Sequence, residues 1–265
     1  ICTNGNSLAT IIDQFSRLTH ESNIDANAWF ASVYKPTPTI IEAAQALYRG
    51  HSVAEISRSD AGAINLSRTA IAISEIIDAS KKKQQKSICF LTGVPGAGKT
   101  LAGLNLANSW HKPEDSEHAV FLSGNGPLVE VLREALARNE VAVAKELGLK
   151  QRKGITLSKT KAFIQNIHHF RDDALATITA PIERVVVFDE AQRAWSQKQT
   201  ASFMKTKKGK LDFNQSEPEF LISVMDRHPD WATIICLIGG GQEINTGEAG
   251  LREWFKSIKR SFPHW

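Results

Sequence analysis

Cysteine is scarce in this chain, with three in 265 residues, at positions 2, 89 and 236. Their spacing fits neither a disulfide framework nor a structural zinc site. Cys89 and Cys236 fall inside apolar runs, where a thiol behaves as a small buried hydrophobe. A reducing cytoplasm is the expected setting. Long hydrophobic runs are missing as well. No stretch approaches the ~20 apolar residues of a membrane span, so no membrane partner is expected. The opening ICTNGNSLATIIDQF carries no basic leader and no extended apolar core, which argues against a secretory signal. It also carries no initiator Met, which points to a fragment or a processed form. Charge of one sign is not in excess either. The net value of +4 is too small to imply nucleic acid by itself. No internal repeat is visible.

What is present is an ordinary globular composition, 42% hydrophobic and 23% charged, enough for one large domain or two small ones. Residues 1–82 read as a helical segment. TPTIIEAAQALYRG has Pro38 near a helix start, an apolar series through Ile41, Ala44, Leu47 and Tyr48, and Gly50 as a stop. SVAE at 52–55 has capping-box form. DAGAINLSRTAIAISEIIDAS predicts an amphipathic helix with Ile64, Ala70, Ile71, Ile73, Ile76 and Ile77 on its apolar side. The run KKKQQK at 81–86 then marks a solvated boundary.

Beyond that boundary, over residues 83–265, the texture changes. SICFLT (87–92), HAVFLS (118–123), RVVVFD (184–189) and TIICLIG (233–239) have the β-branched and aromatic content of strands. Their near-continuous hydrophobicity fits strands covered on both faces of a parallel sheet. Helical patterns alternate with them: KTLAGLNLANSWH, PLVEVLREALARNEVAVAKELG, SKTKAFIQNIHHFRDDAL and EPEFLISVMDRH. The alternation predicts a doubly wound, mostly parallel α/β domain.

Two motifs carry chemistry. GVPGAGKT at 93–100 fits G-x-x-x-x-G-K-[ST] and sits where a strand ends and a helix begins. Gly93, Pro95, Gly96, Ala97 and Gly98 form a turn whose amides can make an anion nest, and the helix N-terminus adds its positive end. Lys99 is expected to reach the β- and γ-phosphates of a nucleotide such as ATP, and Thr100 to place its hydroxyl on Mg²⁺. The second motif, VVVFDEAQ, puts Asp189 at the C-terminal end of a strand, where ligands gather in open α/β sheets. Asp189 is expected to hold the Mg²⁺, and Glu190 to orient and deprotonate an attacking water. The adjacent acidic pair favours NTP hydrolysis over phosphoryl transfer to a metabolite.

GVPGAGKT, VFLSGNGPLVEVL, VVVFDEAQRAW and GGGQEINTGEAGLREW together resemble the Schlafen group 3-like DNA/RNA helicase domain, related to superfamily 1 helicases. YKPTPTIIEAAQALYRG resembles the segment preceding the motor in that group, so the resemblance runs over about residues 29–265. It implies a RecA-like P-loop NTPase fold and an ATP-driven motor on DNA or RNA, expected to be single-stranded, with a link to defence. It also implies that Gln192 couples the γ-phosphate to the strand-binding surface and that Gln242 senses the γ-phosphate in motif III. IGGGQEI has only glycines where that motif usually places an aspartate. Ser123 and Asn125 fall in the place of motif Ia, as phosphate donors or as the cap of the next helix. Such motors close ATP against a second RecA-like domain that supplies an arginine finger. The chain ends soon after motif III, so it is expected to be the first motor domain of a longer protein. Arg193 and Arg252 are nearby candidates for phosphate contacts.

Residues 191–211 hold Arg193, Lys198, Lys205, Lys207, Lys208 and Lys210 with Trp195 and Phe203 interleaved. As a flexible basic segment it could track phosphates and stack bases, or it could be a solvated loop anchored by Trp195. KELGLKQRKGITLSKTK (145–161) is a second basic stretch, without aromatics. His168 and His169 lack nearby ligands at metal spacing and read as structural. A regulatory NTPase switch controlling an attached effector is the competing function.

Overall fold

Four apolar runs set the frame, and the computed structural model turns each into a strand. It describes residues 38–51, 53–56, 60–110, 118–239 and 250–265, with isolated positions between 9 and 30. Among these, in chain order, lie α1 (Ile40–Tyr48), α2 (Val53–Ile56), α3 (Asp60–Lys83), β1 (Lys86–Gly93), α4 (Lys99–Ser109), β2 (His118–Ser123) and α5 (Gly126–Glu146). There follow α6 (Lys153–Phe163), β3 (Ile164–Asn166), α7 (Ile167–Ala176), β4 (Glu183–Phe188), α8 (Gln197–Lys208), α9 (Glu217–Met225), β5 (Ala232–Gly239) and α10 (Gly250–Ser261). The chain divides into a unit Ile1–Pro36 and a unit Thr37–Trp265. The described elements all belong to the second, and the expected boundary near residue 82 falls inside it.

The five strands form one sheet in the order β1-β5-β4-β2-β3, and every pairing is parallel. This is the doubly wound, parallel α/β arrangement expected from the alternation. β5 lies between the strand that leads into the glycine loop and the strand that ends in the acidic pair. Successive residues of each central strand serve opposite cores. Phe121, Val185, Val187, Ile235 and Leu237 pack with α1, α3, α4 and α5 on one face. Val120, Leu122, Val186, Phe188, Ile234 and Cys236 pack with α7, α9 and α10 on the other. Both faces being covered explains why these strands read as unbroken apolar runs.

Local chemistry accounts for the helix ends. Thr39 caps α1 in a full capping box with Glu42, and Gly50 ends that turn at φ 88°. The SVAE capping position, Ser52, lies outside the described residues. Three expectations need correction. In α3 only Ile73 and Ile77 are buried among the six apolar positions; Ile64, Ile71 and Ile76 are exposed. The lysine run does not break α3, because Lys81, Lys82 and Lys83 form its last turn, where cations suit the helix dipole. The single helix expected over SKTKAFIQNIHHFRDDAL is two helices with β3 between them. Ile164 is fully buried in that strand, Ile164–Asn166 pair with Phe121–Ser123, and the Asn166 side chain accepts from the His168 N–H to start α7.

Candidate active site

The loops at the C-terminal ends of β1, β2 and β4 meet over one edge of the sheet. After β1 the chain turns through Val94–Gly98, with Gly96 and Gly98 in left-handed backbone at φ 79° and 83°. Glycine is the residue that adopts this conformation freely, and such turns build anion-binding nests. Gly98 is the N-cap of α4 and offers no side chain, so that helix end has no side-chain cap. Its positive dipole end therefore faces the loop without a competing carboxylate. Lys99 folds back over the turn and donates to the carbonyls of Gly93 and Val94, at 2.7 and 2.9 Å. Pro95, Gly96 and Ala97 form the exposed tip.

Thr100 follows on α4, and its hydroxyl donates to Asp189 Oδ1 at 3.2 Å. β1 and β4 are not neighbours, so the sheet brings this pair together across β5. Asp189 is buried, and its own N–H donates to the Leu122 carbonyl at 2.8 Å. Burial, and then the charge of Glu190, push the Asp189 carboxyl up to about 6. A hydroxyl and a carboxylate side by side are hard oxygen donors of the kind Mg²⁺ takes.

Glu190 sits in left-handed backbone at φ 53°, ψ 44°. A residue with a side chain adopts this only when its surroundings hold it there. Gln192 supplies part of that hold. It is fully buried, its Nε2 donates to Glu190 Oε2, and its Oε1 accepts from the N–H of Gly239 at 3.0 Å. The last residue of β5 is thus tied to the acidic pair through one amide. Trp254 of α10 closes the turn from outside, donating from its indole N–H to the Ala191 carbonyl at 2.9 Å. Gln242 lies outside the described residues.

Beside these groups lies a cavity of about 730 Å³. Thr100, Asp189, Glu190 and Arg193 line one part of it, and the Ser123–Leu128 turn, His168, Trp195, Gln199 and Glu217 line the rest.

Against known families, residues 86–265, more than half of the chain, match the model described as Schlafen group 3, DNA/RNA helicase domain. The chain belongs to this family. No curated protein sequence matches it. Among solved structures, the Pyrococcus furiosus Hef helicase domain matches at 18% identity with a TM-score of 0.37. That match covers 70% of this chain and 34% of the Hef chain, so this chain spans about a third of its length.

Other expected residues of the helicase domain fall as follows. Ser123 is buried and its Oγ accepts from the Asn125 N–H, while Asn125 Oδ1 accepts from the Leu128 N–H to cap α5. Both side chains are therefore engaged locally. The basic segment after Gln192 is not a flexible loop: a short 3₁₀ turn and α8 order it, and Lys198, Lys205, Lys207 and Lys210 stand exposed. Lys208 pairs with Asp172 at 2.7 Å. Arg252 is exposed on α10. His168 is half-buried against Trp195 and Phe203, and burial followed by the Arg171 charge lowers its pKa. Sequence reasoning missed Glu217, Gln199 and Trp254. Glu217 looks like an ordinary first-turn acid after the Ser216 cap, and only the fold turns it inward. No described helix is long and apolar enough to cross a membrane.

Proposed function

We propose that this chain is the first motor domain of a superfamily 1-like helicase or translocase, binding and hydrolysing Mg-ATP to move on single-stranded DNA or RNA. The observation that carries the reading is the contact of Thr100 with Asp189 beside the Gly93–Lys99 turn, at the C-terminal edge of the sheet. In this reading the turn Gly93, Pro95, Gly96, Ala97 and Gly98 receives the phosphates on its amides, and Lys99 exchanges its two carbonyl partners for phosphate oxygens. Thr100 and Asp189 would hold Mg²⁺, which would supply positive charge against the phosphates.

Glu190 orients a water and takes its proton as the water oxygen bonds to the γ-phosphorus and the bond to the ADP oxygen breaks. That proton leaves with phosphate or to solvent, and Glu190 is restored. Gln192 keeps the carboxylate aimed through its amide donation. We assign Gln242 the sensing of the γ-phosphate, and Gln192 the link between that event and the strand-binding side. Residues 83–265 form the motor, and α1, α2 and α3 precede it in the chain. A second RecA-like half supplies the arginine, a contribution of about 10³–10⁵ in related NTPases, so the chain alone turns over weakly.

The test is ATP turnover by a protein carrying both halves, with and without single-stranded DNA or RNA. Stimulation by one of the two polymers is expected. Turnover indifferent to both would remove the motor reading.

A further inference from the structure

The turn from Asp189 to Trp195 has to keep one awkward shape. Glu190 stands at φ 53°, ψ 44°, a left-handed backbone that disfavours a residue with a Cβ. Two backbone bonds inside the turn oppose its relaxation. The Arg193 N–H donates to the Glu190 carbonyl at 2.8 Å, and the Ala194 N–H to the Ala191 carbonyl at 3.3 Å. The second is longer than an ordinary N–H···O bond. Such a conformation persists when the surrounding structure over-determines it, so the rest of the restraint must come from other elements.

α9 and α10 supply it. Glu217, at the start of α9, accepts from the Trp195 N–H at 2.9 Å and donates from its own N–H to the Trp195 carbonyl at 3.0 Å. These bonds fix the far end of the turn. Trp254 of α10 fixes the end next to Glu190. Its indole N–H donates to the Ala191 carbonyl at 2.9 Å, a shorter bond than the one from Ala194 to the same oxygen. The ring is fully buried. It lies 5.6 Å from the ring of Phe188, the residue before Asp189, and edge-on to Phe90 of β1 at 6.3 Å. The two helices brace each other. Ser257 Oγ lies 3.5 Å from Ser216 Oγ at the cap of α9, and Arg260 and Ser261 both donate to the Glu219 carboxylate at 2.7 Å. Phenylalanine could fill much of the space that the ring occupies; the N–H is what tryptophan adds.

We propose that Trp254 is a positioning residue for the hydrolysis: its indole N–H pins the Ala191 carbonyl and thereby holds the Glu190 carboxylate on the attacking water. The inference rests on the hydrolysis reading above. Trp254 acts through the turn and not on the reacting atoms. Without the N–H, the Ala191 carbonyl is free to rotate, Glu190 relaxes towards ordinary backbone, and its carboxylate swings out of line. Nucleotide binding does not depend on that aim, because the phosphates meet the Gly93–Lys99 turn. The signature is therefore lost turnover at intact affinity.

The experiment compares the native chain with Trp254→Phe and with a chain carrying benzothienylalanine at position 254. In that analogue sulfur replaces the indole N–H and the ring shape is kept, so folding is not at issue. Affinity for ATP is read by calorimetric titration, and hydrolysis as the single-turnover rate with protein in excess. Both changes should slow hydrolysis about tenfold, the value of one hydrogen bond left unmade, at unchanged affinity. Ser257→Ala, which loosens α10 from α9 without touching the turn, should keep the native rate. A native rate in the benzothienyl protein overturns the inference, whatever Trp254→Phe does. Parallel losses of affinity and rate overturn it as well, because they mark general damage to the site. A loss in Ser257→Ala as large as in the benzothienyl protein places the effect in the packing of α10 and also overturns it. A native chain that binds no ATP, or binds it without hydrolysis, defeats the hydrolysis reading and the inference with it, a result distinguishable from the others because it appears before any variant is compared.

Discussion

Asp189 occupies a poor setting for a negative charge. Its carboxyl is raised to about 6 by burial first and by Glu190 second. Because the fold raises this pKa above its unfolded value, the stability it contributes is full below about 4 and is lost as pH rises through about 6. At neutral pH the metal-free protein therefore carries a penalty on the order of 3 kcal/mol. Asp189→Asn should raise the Tm of the metal-free protein near neutral pH, with the gain fading as pH falls towards about 4. A lower Tm for the variant near neutral pH would contradict this. Lys99 and Glu190 divide the labour differently. Lys99→Ala should abolish nucleotide binding, while Glu190→Gln should bind nucleotide and fail to turn it over. Equal loss of affinity in both, measured by titration, argues against the assigned roles. Gln192 is the quieter member of the group. Gln192→Leu leaves the buried Gly239 N–H and the Glu190 carboxylate without their shared partner. A loss of about 1–3 kcal/mol in denaturant unfolding is expected, together with slower turnover at unchanged nucleotide affinity.

At the scale of elements, α4 depends on one absent side chain. A Cβ at Gly103 would lie 2.6 Å from Leu237 Cδ1 and 2.9 Å from Val187 Cγ1. Gly103 is what lets the helix behind the phosphate loop press against β4 and β5. Gly103→Ala should cost about 1–3 kcal/mol in denaturant unfolding, as overpacking does, and a neutral result would show that α4 has room to shift. Strands doubly covered by helices announce themselves by unbroken apolar runs, so four of the five were legible in the chain. β3 was not, because three residues between two helices carry too little pattern; a buried Ile164 and three paired residues decide it. The apolar count of α3 misled for a related reason. Periodicity marks a face, but only tertiary packing decides how much of it is covered, and here Ile73 and Ile77 alone are buried. In the candidate site, the glycine loop and the acidic pair were legible because their chemistry demands fixed spacing. Glu217 was not, since an acid after a serine cap is what most helices show.

The whole molecule joins these parts by strand order. β5 stands between β1 and β4, and α4 reaches across it to bring Thr100 to Asp189. The same edge carries the cavity lined by Trp195 and by Gln199 of α8, a helix whose lysines stand exposed. If those lysines meet strand phosphates, Lys207→Ala should weaken single-strand binding for all base compositions and lower the slope of log affinity against log salt by about 1. An unchanged slope would take that helix out of the interface. The central claim is narrower: one Mg-nucleotide bridges the loop of β1 and the tip of β4. Calorimetric titration of ATP, with and without Mg²⁺, into the native chain and Asp189→Asn tests it most directly. The account predicts tight, Mg²⁺-dependent binding by native protein, and for the variant an affinity that Mg²⁺ no longer improves. Full Mg²⁺ dependence retained in Asp189→Asn would contradict it.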